Sequence, residues 1–205
     1  SKSLRAEYWD RLIDLGRLQI STLPSLLLLM PMVVLSSALL SLLMGQSVAQ
    51  FRLAVDFSFV DTVAPVLLVL LMVTAAQELG WRSYAFDSLE SRTNYLGATI
   101  LFSVLWSFWH LPLLLVEGSY QYAILQQSPW FAANFYLGLI PLGIVISWFW
   151  AKNRKSLIAA ILFHLVAAMS REVMPVSQVT MTIETGVLIL VAVAIVATHR
   201  ELFFS

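Results

Sequence analysis

Long runs of apolar residues, separated by short polar stretches, recur along this chain of 205 residues. A helix needs about 20 mostly apolar residues to cross the hydrocarbon core of a bilayer. Divided by that length, the chain contains six candidate transmembrane segments, and most charged residues fall between them. The pattern predicts an all-α, polytopic bundle of transmembrane helices. The segments run from about Leu23 to Met44, Val60 to Arg82, Tyr95 to Val116, Phe131 to Trp150, Leu157 to Met174 and Val179 to Thr198.

The first 19 residues differ from the segments that follow, since both signs of charge alternate with scattered apolar positions. This mixture favours an interfacial amphipathic helix over a signal peptide, which has a basic start and a small-residue cleavage site. No repeat, low-complexity tract or Gly/Ser-rich linker divides the rest of the chain. We therefore expect one membrane-embedded domain over residues 1–205.

Composition agrees with a membrane protein and narrows the chemistry. Hydrophobic residues make up 60% of the chain and charged residues 12%, whereas charged residues are about a quarter of a soluble domain. The 12 basic residues balance 12 acidic ones, so no overall field attracts nucleic acid. Cysteine is absent, which excludes thiolate nucleophiles, disulfides and Cys-built metal sites. Membrane lipids are the partners that this composition implies.

The distribution of Lys and Arg predicts the orientation, because short cytoplasmic loops are enriched in basic residues. With the N-terminus inside, only Arg52 and Arg171 lie outside. We expect both termini to be cytoplasmic, in the plasma membrane of a bacterium. The basic residues placed on the inner side are Lys2, Arg5, Arg11, Arg17, Arg82, Arg92, Lys152, Arg154, Lys155 and Arg200.

Ionisable side chains within the predicted segments are the strongest functional signal. A charge in hydrocarbon costs about 2.5–3.5 kcal/mol on insertion scales, so such residues usually face the protein interior and mark function. Glu78 and Arg82 are four residues apart on one helical face, where they form either a structural ion pair or part of a site. His110 and His164 lie in two further segments, and each could be a neutral ring bonded to the backbone. Together, the three helices could supply a metal site or a water-activating acid/base site.

Three short motifs follow one another on three of these segments. The first is QELGWR at residues 77–82, which is similar to E-E-x-G-W-R. The second is WSFWHLP at residues 106–112, an aromatic residue four before a histidine that is followed by Leu-Pro. The third is ILFH at residues 161–164. Their order resembles that of the CPBP family of intramembrane peptidases, which includes CAAX prenyl proteases and bacteriocin-processing (Abi-like) proteins.

The resemblance implies an intramembrane endopeptidase that hydrolyses a bond in a membrane-associated or prenylated peptide. His110 and His164 would orient the attacking water or ligate a metal. Glu78 would pair with Arg82 to hold the helix, or would make a second polar contact. The positions that the resemblance assigns to the catalytic site are Gln77, Glu78, Arg82, His110, His164 and Ala168.

Two of these positions depart from the family pattern. Gln77 stands where the family has the glutamate that acts as general base, and an amide takes up no proton at neutral pH. Ala168 stands where the family has an asparagine that helps to hold the oxyanion. These losses cost factors of about 10²–10⁴ and 10²–10³, so we expect an inactive or impaired variant. Deliberate inactivation and natural divergence both account for the departures, and the retained Arg82 and histidines favour the former.

The cofactor and the function class have alternatives. Glu78, His110 and His164 are candidate ligands for zinc, which accepts two histidines and a carboxylate. The amide at position 77 weakens that set, so metal-free glutamate/histidine hydrolysis ranks ahead of a zinc mechanism. The rival class is a pseudoprotease that grips membrane peptides or partner proteins without cutting them. A proton-relay transporter is a third interpretation, but the chain lacks the internal repeat or paired broken helices that transporters show.

Overall fold

A computed structural model describes residues 2–52, 64–174 and 176–204, and over these ranges its regular elements are all helical. The all-α class predicted from the apolar pattern is therefore confirmed. The α-helices are α1 (Lys2–Ile13), α2 (Leu23–Leu42), α3 (Ala64–Gly80), α4 (Phe86–Glu90), α5 (Tyr95–Trp109), α6 (Tyr120–Gln127), α7 (Pro129–Lys152), α8 (Leu157–Val173), α9 (Gln178–Thr198) and α10 (Arg200–Phe203).

Short polar side chains set where several of these helices begin. Asn94, Ser128, Ser156 and Ser177 are the N-cap residues of α5, α7, α8 and α9, and each side chain accepts a hydrogen bond from a backbone N–H in the first turn. Those first N–H groups have no partner within the helix, so a capping oxygen typically stabilises the helix by about 1 kcal/mol. The polar breaks in the sequence thus define the helix starts.

Within the described ranges, four stretches are long and apolar enough to cross a bilayer: Ile20–Leu42, Tyr95–Leu115, Pro129–Lys152 and Gln178–Thr198. The helices α3 and α8 have 17 residues each, at the short end of the range of about 17–25 residues for a span. Six spans therefore stay a prediction. Residues 60–63, with which the second predicted segment begins, lie outside the described residues.

The third predicted segment does not remain α-helical to Val116. Its α-helix ends at Trp109, and residues Leu111–Leu115 form a 3₁₀ turn. Pro112 lies in that turn, and because proline has no N–H it cannot continue the α-helical hydrogen bonding. His110 therefore lies at the junction between α5 and the 3₁₀ turn, rather than within a regular α-helix.

The centre of the bundle is α7, which packs against α5, α6, α8 and α9, while α2 lies along α8 and α9 and α3 packs on α8. Large side chains such as Trp150, Phe149 and Phe163 are fully buried there. Leu28 and Leu68, on α2 and α3, are instead exposed. Exposed leucines on helices of this kind indicate surfaces that face lipid, because lipid tails are as apolar as leucine.

Ion pairs connect the helices at one end of the bundle. The α1 residue Arg11 donates to Asp87 on α4 at 2.6 Å, and Lys155 donates to Asp87 at 3.0 Å and to Glu90 at 2.7 Å. These bonds join α1, α4 and the loop between α7 and α8. The C-terminal ends of α5 and α8 point to the opposite end of the bundle.

Candidate active site

The charged pair at the base of the site joins the end of α3 to the element that follows it. A π-helix spans Trp81–Ala85 and carries Arg82, and such wider turns often occur at functional sites. The Arg82 guanidinium donates to Oε2 of Glu78 and, over 3.3 Å, to Oγ of Ser147. It also lies 4.5 Å from the ring centroid of Phe102. Both members of the pair are buried, so each charge depends on the other for its compensation.

His164, on α8, is oriented by the same carboxylate. Its Nδ1 lies 2.8 Å from Oε1 of Glu78. Because an ionised carboxylate can only accept, Nδ1 carries the proton. In the neutral ring the lone pair is then on Nε2, which is the nitrogen left for a water or a substrate. Glu78 thus selects the tautomer of His164.

His110 also carries its proton on Nδ1, where a backbone carbonyl oxygen accepts the hydrogen bond. Its Nδ1 lies 2.8 Å from the carbonyl oxygen of Trp106, which accepts the proton of Nδ1. The Trp106 ring makes edge contacts with both imidazoles, with centroid distances of 5.6 Å to His110 and 5.2 Å to His164. The two histidines therefore flank one indole ring, and each keeps Nε2 as an acceptor when neutral.

The side chain of Gln77 is hydrogen-bonded to the N–H of the same indole. Nε1 of Trp106 donates to Oε1 of Gln77 over 2.8 Å. An indole N–H can only donate, so this contact assigns the amide oxygen to Trp106 and leaves the amide nitrogen for other partners. A glutamate at this position would accept the same bond with one oxygen and keep its second oxygen as a further acceptor.

These groups line a cavity of about 540 Å³, a size typical of ligand sites. Its walls come from α3, α5, α6, α7, α8 and α9, together with His110, the residue that follows α5. Gln77, His110, His164 and Ala168 all line it. Glu78 and Arg82 do not contribute to its wall but support it through His164. Of the six candidate positions, four thus lie on the cavity surface and two lie beneath it.

The described residues do not form the three-ligand metal site considered from the sequence. No group of three His, Asp or Glu side chains in the described ranges is arranged to hold an ion. In the set Glu78, His110 and His164, the two imidazoles line the cavity but Glu78 does not, and its oxygens accept hydrogen bonds from Arg82 and from Nδ1 of His164. The cavity wall offers two imidazoles and an amide at these positions, which does not fit a zinc site of two histidines and a carboxylate.

A second charged pair borders the same cavity and was not assigned to the site from the sequence. Nε of Arg171 donates to Oε1 of Glu184 over 2.8 Å, and Nη2 lies 2.7 Å from the same oxygen. Arg171 lines the cavity, whereas the positive-inside rule predicts only that it is a charge on the outer side. The signal that could have found it is its spacing, since residues seven apart on a helix share a face and Arg171 follows His164 by seven.

Asn134 joins two helices at the cavity wall. Its side-chain nitrogen donates to the carbonyl oxygen of Met181 over 3.3 Å, joining α7 to α9. Such interhelical bonds contribute about 0.6 kcal/mol on average within membranes. The residue borders the cavity without bonding to either histidine.

Comparison with known proteins identifies the family to which these motifs belong. Residues 59–170 match the family model for type II CAAX prenyl endopeptidase Rce1-like proteins, a stretch that contains all six candidate positions. CAAX prenyl protease 2 of Methanococcus maripaludis is 46% identical over 205 residues, which cover 100% of this chain and 76% of that protein. The match confirms the family resemblance inferred from the three motifs. The chain thus belongs to the Rce1-like CAAX prenyl endopeptidases, and it is an integral membrane protein of the intramembrane protease class.

Proposed function

We propose that this chain binds a prenylated CAAX peptide in the cavity beside His110 and His164, and that it cleaves the peptide at an impaired rate. One observation carries the proposal. At the position of the family's base, the amide of Gln77 is bonded to Trp106 next to two imidazoles whose Nε2 atoms are acceptors. The polar frame of a hydrolytic site is retained, whereas the proton acceptor at position 77 is not.

The substrate class rests on the relatives and on the bilayer. The matched family and the M. maripaludis protein are both described as CAAX prenyl proteases. A prenyl chain favours hydrocarbon by about 0.8 kcal/mol for each buried CH₂, so it brings a soluble peptide to the membrane. Helices of this bundle expose leucines such as Leu28 and Leu68, so we expect the prenyl chain to stay in the bilayer while the peptide occupies the cavity.

Hydrolysis at this site requires a water to lose a proton as its oxygen attacks the scissile carbonyl. A C–O bond then forms, the C–N bond breaks, and the proton passes to the departing amine. The Nε2 atoms of His110 and His164 accept hydrogen bonds from that water and orient it. A glutamate at position 77 would take the proton with its second oxygen, which the amide of Gln77 cannot do.

Position 168 concerns the negative charge that develops on the oxygen of the scissile carbonyl. The methyl group of Ala168 lies on the cavity wall and donates no hydrogen bond to the oxyanion. Losing one oxyanion donor costs a factor of about 10²–10³ in kcat, and losing the general base costs about 10²–10⁴. Because the residues of a catalytic unit act together, the two losses do not simply multiply.

A pseudoprotease is the second candidate, and the amide of Gln77 favours it specifically. With its oxygen held by Trp106, the amide nitrogen is free to donate to a peptide carbonyl, which would stabilise bound peptide rather than activate water. The two candidates share the ligand and differ in whether the retained histidines support any cleavage.

The test uses the purified chain in lipid nanodiscs with a farnesylated, internally quenched peptide. We expect Gln77→Glu with Ala168→Asn to raise the cleavage rate by about 10² or more, and each single change to raise it much less. Adding His110→Ala or His164→Ala should abolish the gain. Gln126→Glu is the matched control, because it makes the same chemical change at an exposed position that does not line the cavity. A double variant that is folded and binds the peptide but does not cut it would support the pseudoprotease instead.

A further inference from the structure

The cavity continues from the two histidines to the C-terminal end of α8, where Arg171 forms part of its wall. Among the described residues that line it, Arg171 is the one lysine or arginine. Its side chain is 26% exposed, whereas its partner Glu184 is 1% exposed. The cation of this pair therefore faces the cavity, and the anion is buried between the helices.

The ion pair of Arg171 and Glu184 leaves hydrogen-bonding groups of both side chains unused. Arginine and carboxylate commonly form two parallel bonds that use both oxygens, but here Nε of Arg171 donates to Oε1 of Glu184 and Nη2 lies 2.7 Å from that same oxygen. Oε2 of Glu184 has no hydrogen-bond partner in the described part of the chain. The guanidinium has five N–H bonds, and the contacts with Glu184 involve only Nε and Nη2, which leaves the two N–H bonds of Nη1 for a second acceptor.

We propose that Arg171 is the subsite for the C-terminal carboxylate of the peptide, an inference that rests on the proposed function. A free carboxylate is the anion that every CAAX peptide carries, and a planar guanidinium is suited to bind it. Glu172 also borders the cavity, but it is exposed to solvent, where its repulsion is screened.

The spacing along α8 supports this assignment. His164 and Arg171 are seven residues apart on one helix, which corresponds to an axial distance of about 10 Å at about 1.5 Å per residue. An extended peptide rises about 3.3 Å per residue, so about three residues span that distance. A CAAX sequence has three residues after its cysteine. A peptide held at Arg171 by its terminus would place the bond after the cysteine beside His164.

Binding to the unaltered chain in nanodiscs tests the subsite without requiring cleavage. The probes are fluorescent farnesyl-cysteine peptides that end in three residues, with either a free acid or an amide at the terminus. We expect the acid to bind about 10- to 100-fold more tightly, which is typical of a hydrogen bond to a charged group. Peptides with two or four residues after the cysteine should bind more weakly than the peptide with three.

The variants separate a binding role from a structural one. Arg171→Gln combined with Glu184→Gln removes both charges while keeping groups that can hydrogen-bond, so no buried carboxylate is left unpaired. We expect this variant to bind acid and amide equally, and Arg171→Lys to keep part of the preference. Arg92→Gln, at the opposite end of the bundle, is the matched control and should retain the full ratio.

The possible results distinguish this inference from the proposed function. If the unaltered chain binds acid and amide equally, or if the neutral double variant keeps the preference, Arg171 has no part in binding the terminus and the subsite is wrong. The proposed function would stand in both cases, since peptide still binds. If neither peptide binds any form of the chain, the proposed function fails and the subsite fails with it.

Discussion

Trp106 donates its indole N–H to the side-chain oxygen of Gln77 over 2.8 Å, and the same ring contacts the edges of both cavity histidines. One side chain thus orients the residue at the position of the family's base and separates the two imidazoles. The indole is buried, so these contacts are not shared with solvent. We infer that Trp106 is a positioning residue of the site.

The first prediction concerns this indole in the chain carrying Gln77→Glu and Ala168→Asn. Trp106→Phe keeps a large ring but removes the N–H that would orient the new carboxylate. A hydrogen bond to a charged group contributes about 1.5–3 kcal/mol, so we expect kcat to fall by about 10- to 100-fold. Trp130→Phe is the control, because that indole is 55% exposed and does not line the cavity. An unchanged kcat in Trp106→Phe would mean that the bond to residue 77 has no catalytic value.

The second prediction concerns the buried pair of Glu78 and Arg82. Glu78→Gln or Arg82→Gln leaves one buried charge without its partner, and breaking a buried pair costs about 3–5 kcal/mol. We expect each change to lower the free energy of unfolding by about that amount, as measured by denaturation in mixed micelles. Replacing both residues by glutamine should cost less than the sum of the single changes, because the two residues interact. Glu201→Gln, on the exposed surface, should have little effect.

The third prediction concerns the close approach of α5 and α7. A Cβ atom placed on Gly143 would lie 2.1 Å from Oγ of Ser103, so a methyl group there forces the two helices apart. We expect Gly143→Ala to destabilise the protein by about 1–3 kcal/mol, the usual cost of overpacking. Gly186→Ala on α9 is the control, since a Cβ there meets no atom within 4 Å. Equal stability of the two variants would contradict the close packing.

The fourth prediction concerns orientation, and it combines the basic residues with the fold. Ser91 and Glu117 are exposed and lie beyond opposite ends of α5. The positive-inside rule places Ser91 in the cytoplasm and Glu117 outside. In this chain without native cysteine, Glu117→Cys should react with an impermeant maleimide in intact cells, and Ser91→Cys should react only after lysis. The reverse labelling pattern would invert the topology.

A bacterial source likewise stays a prediction, since the matched relative is from Methanococcus maripaludis.

The sequence by itself determined the class of protein and the identity of the motifs. Apolar runs of about 20 residues leave few alternatives to membrane helices, because unpaired backbone groups are too costly in hydrocarbon. The spacing of Glu78 and Arg82 places them on one helical face whatever surrounds them. The departures at Gln77 and Ala168 are likewise visible without coordinates, because the motif positions alone reveal them. A single domain over residues 1–205 is still a prediction from the sequence.

The tertiary structure decided what each motif residue contacts. No local pattern links Trp106 to Gln77 or His164 to Glu78, since these pairs are 29 and 86 residues apart, and their contacts depend on how α3, α5 and α8 pack. The same packing places Glu78 behind His164 and off the wall of the cavity that the two imidazoles line. It also brings Arg171 to the cavity that holds the histidines. Sequence spacing predicts which residues share a helical face, but only the packing of helices decides what that face meets.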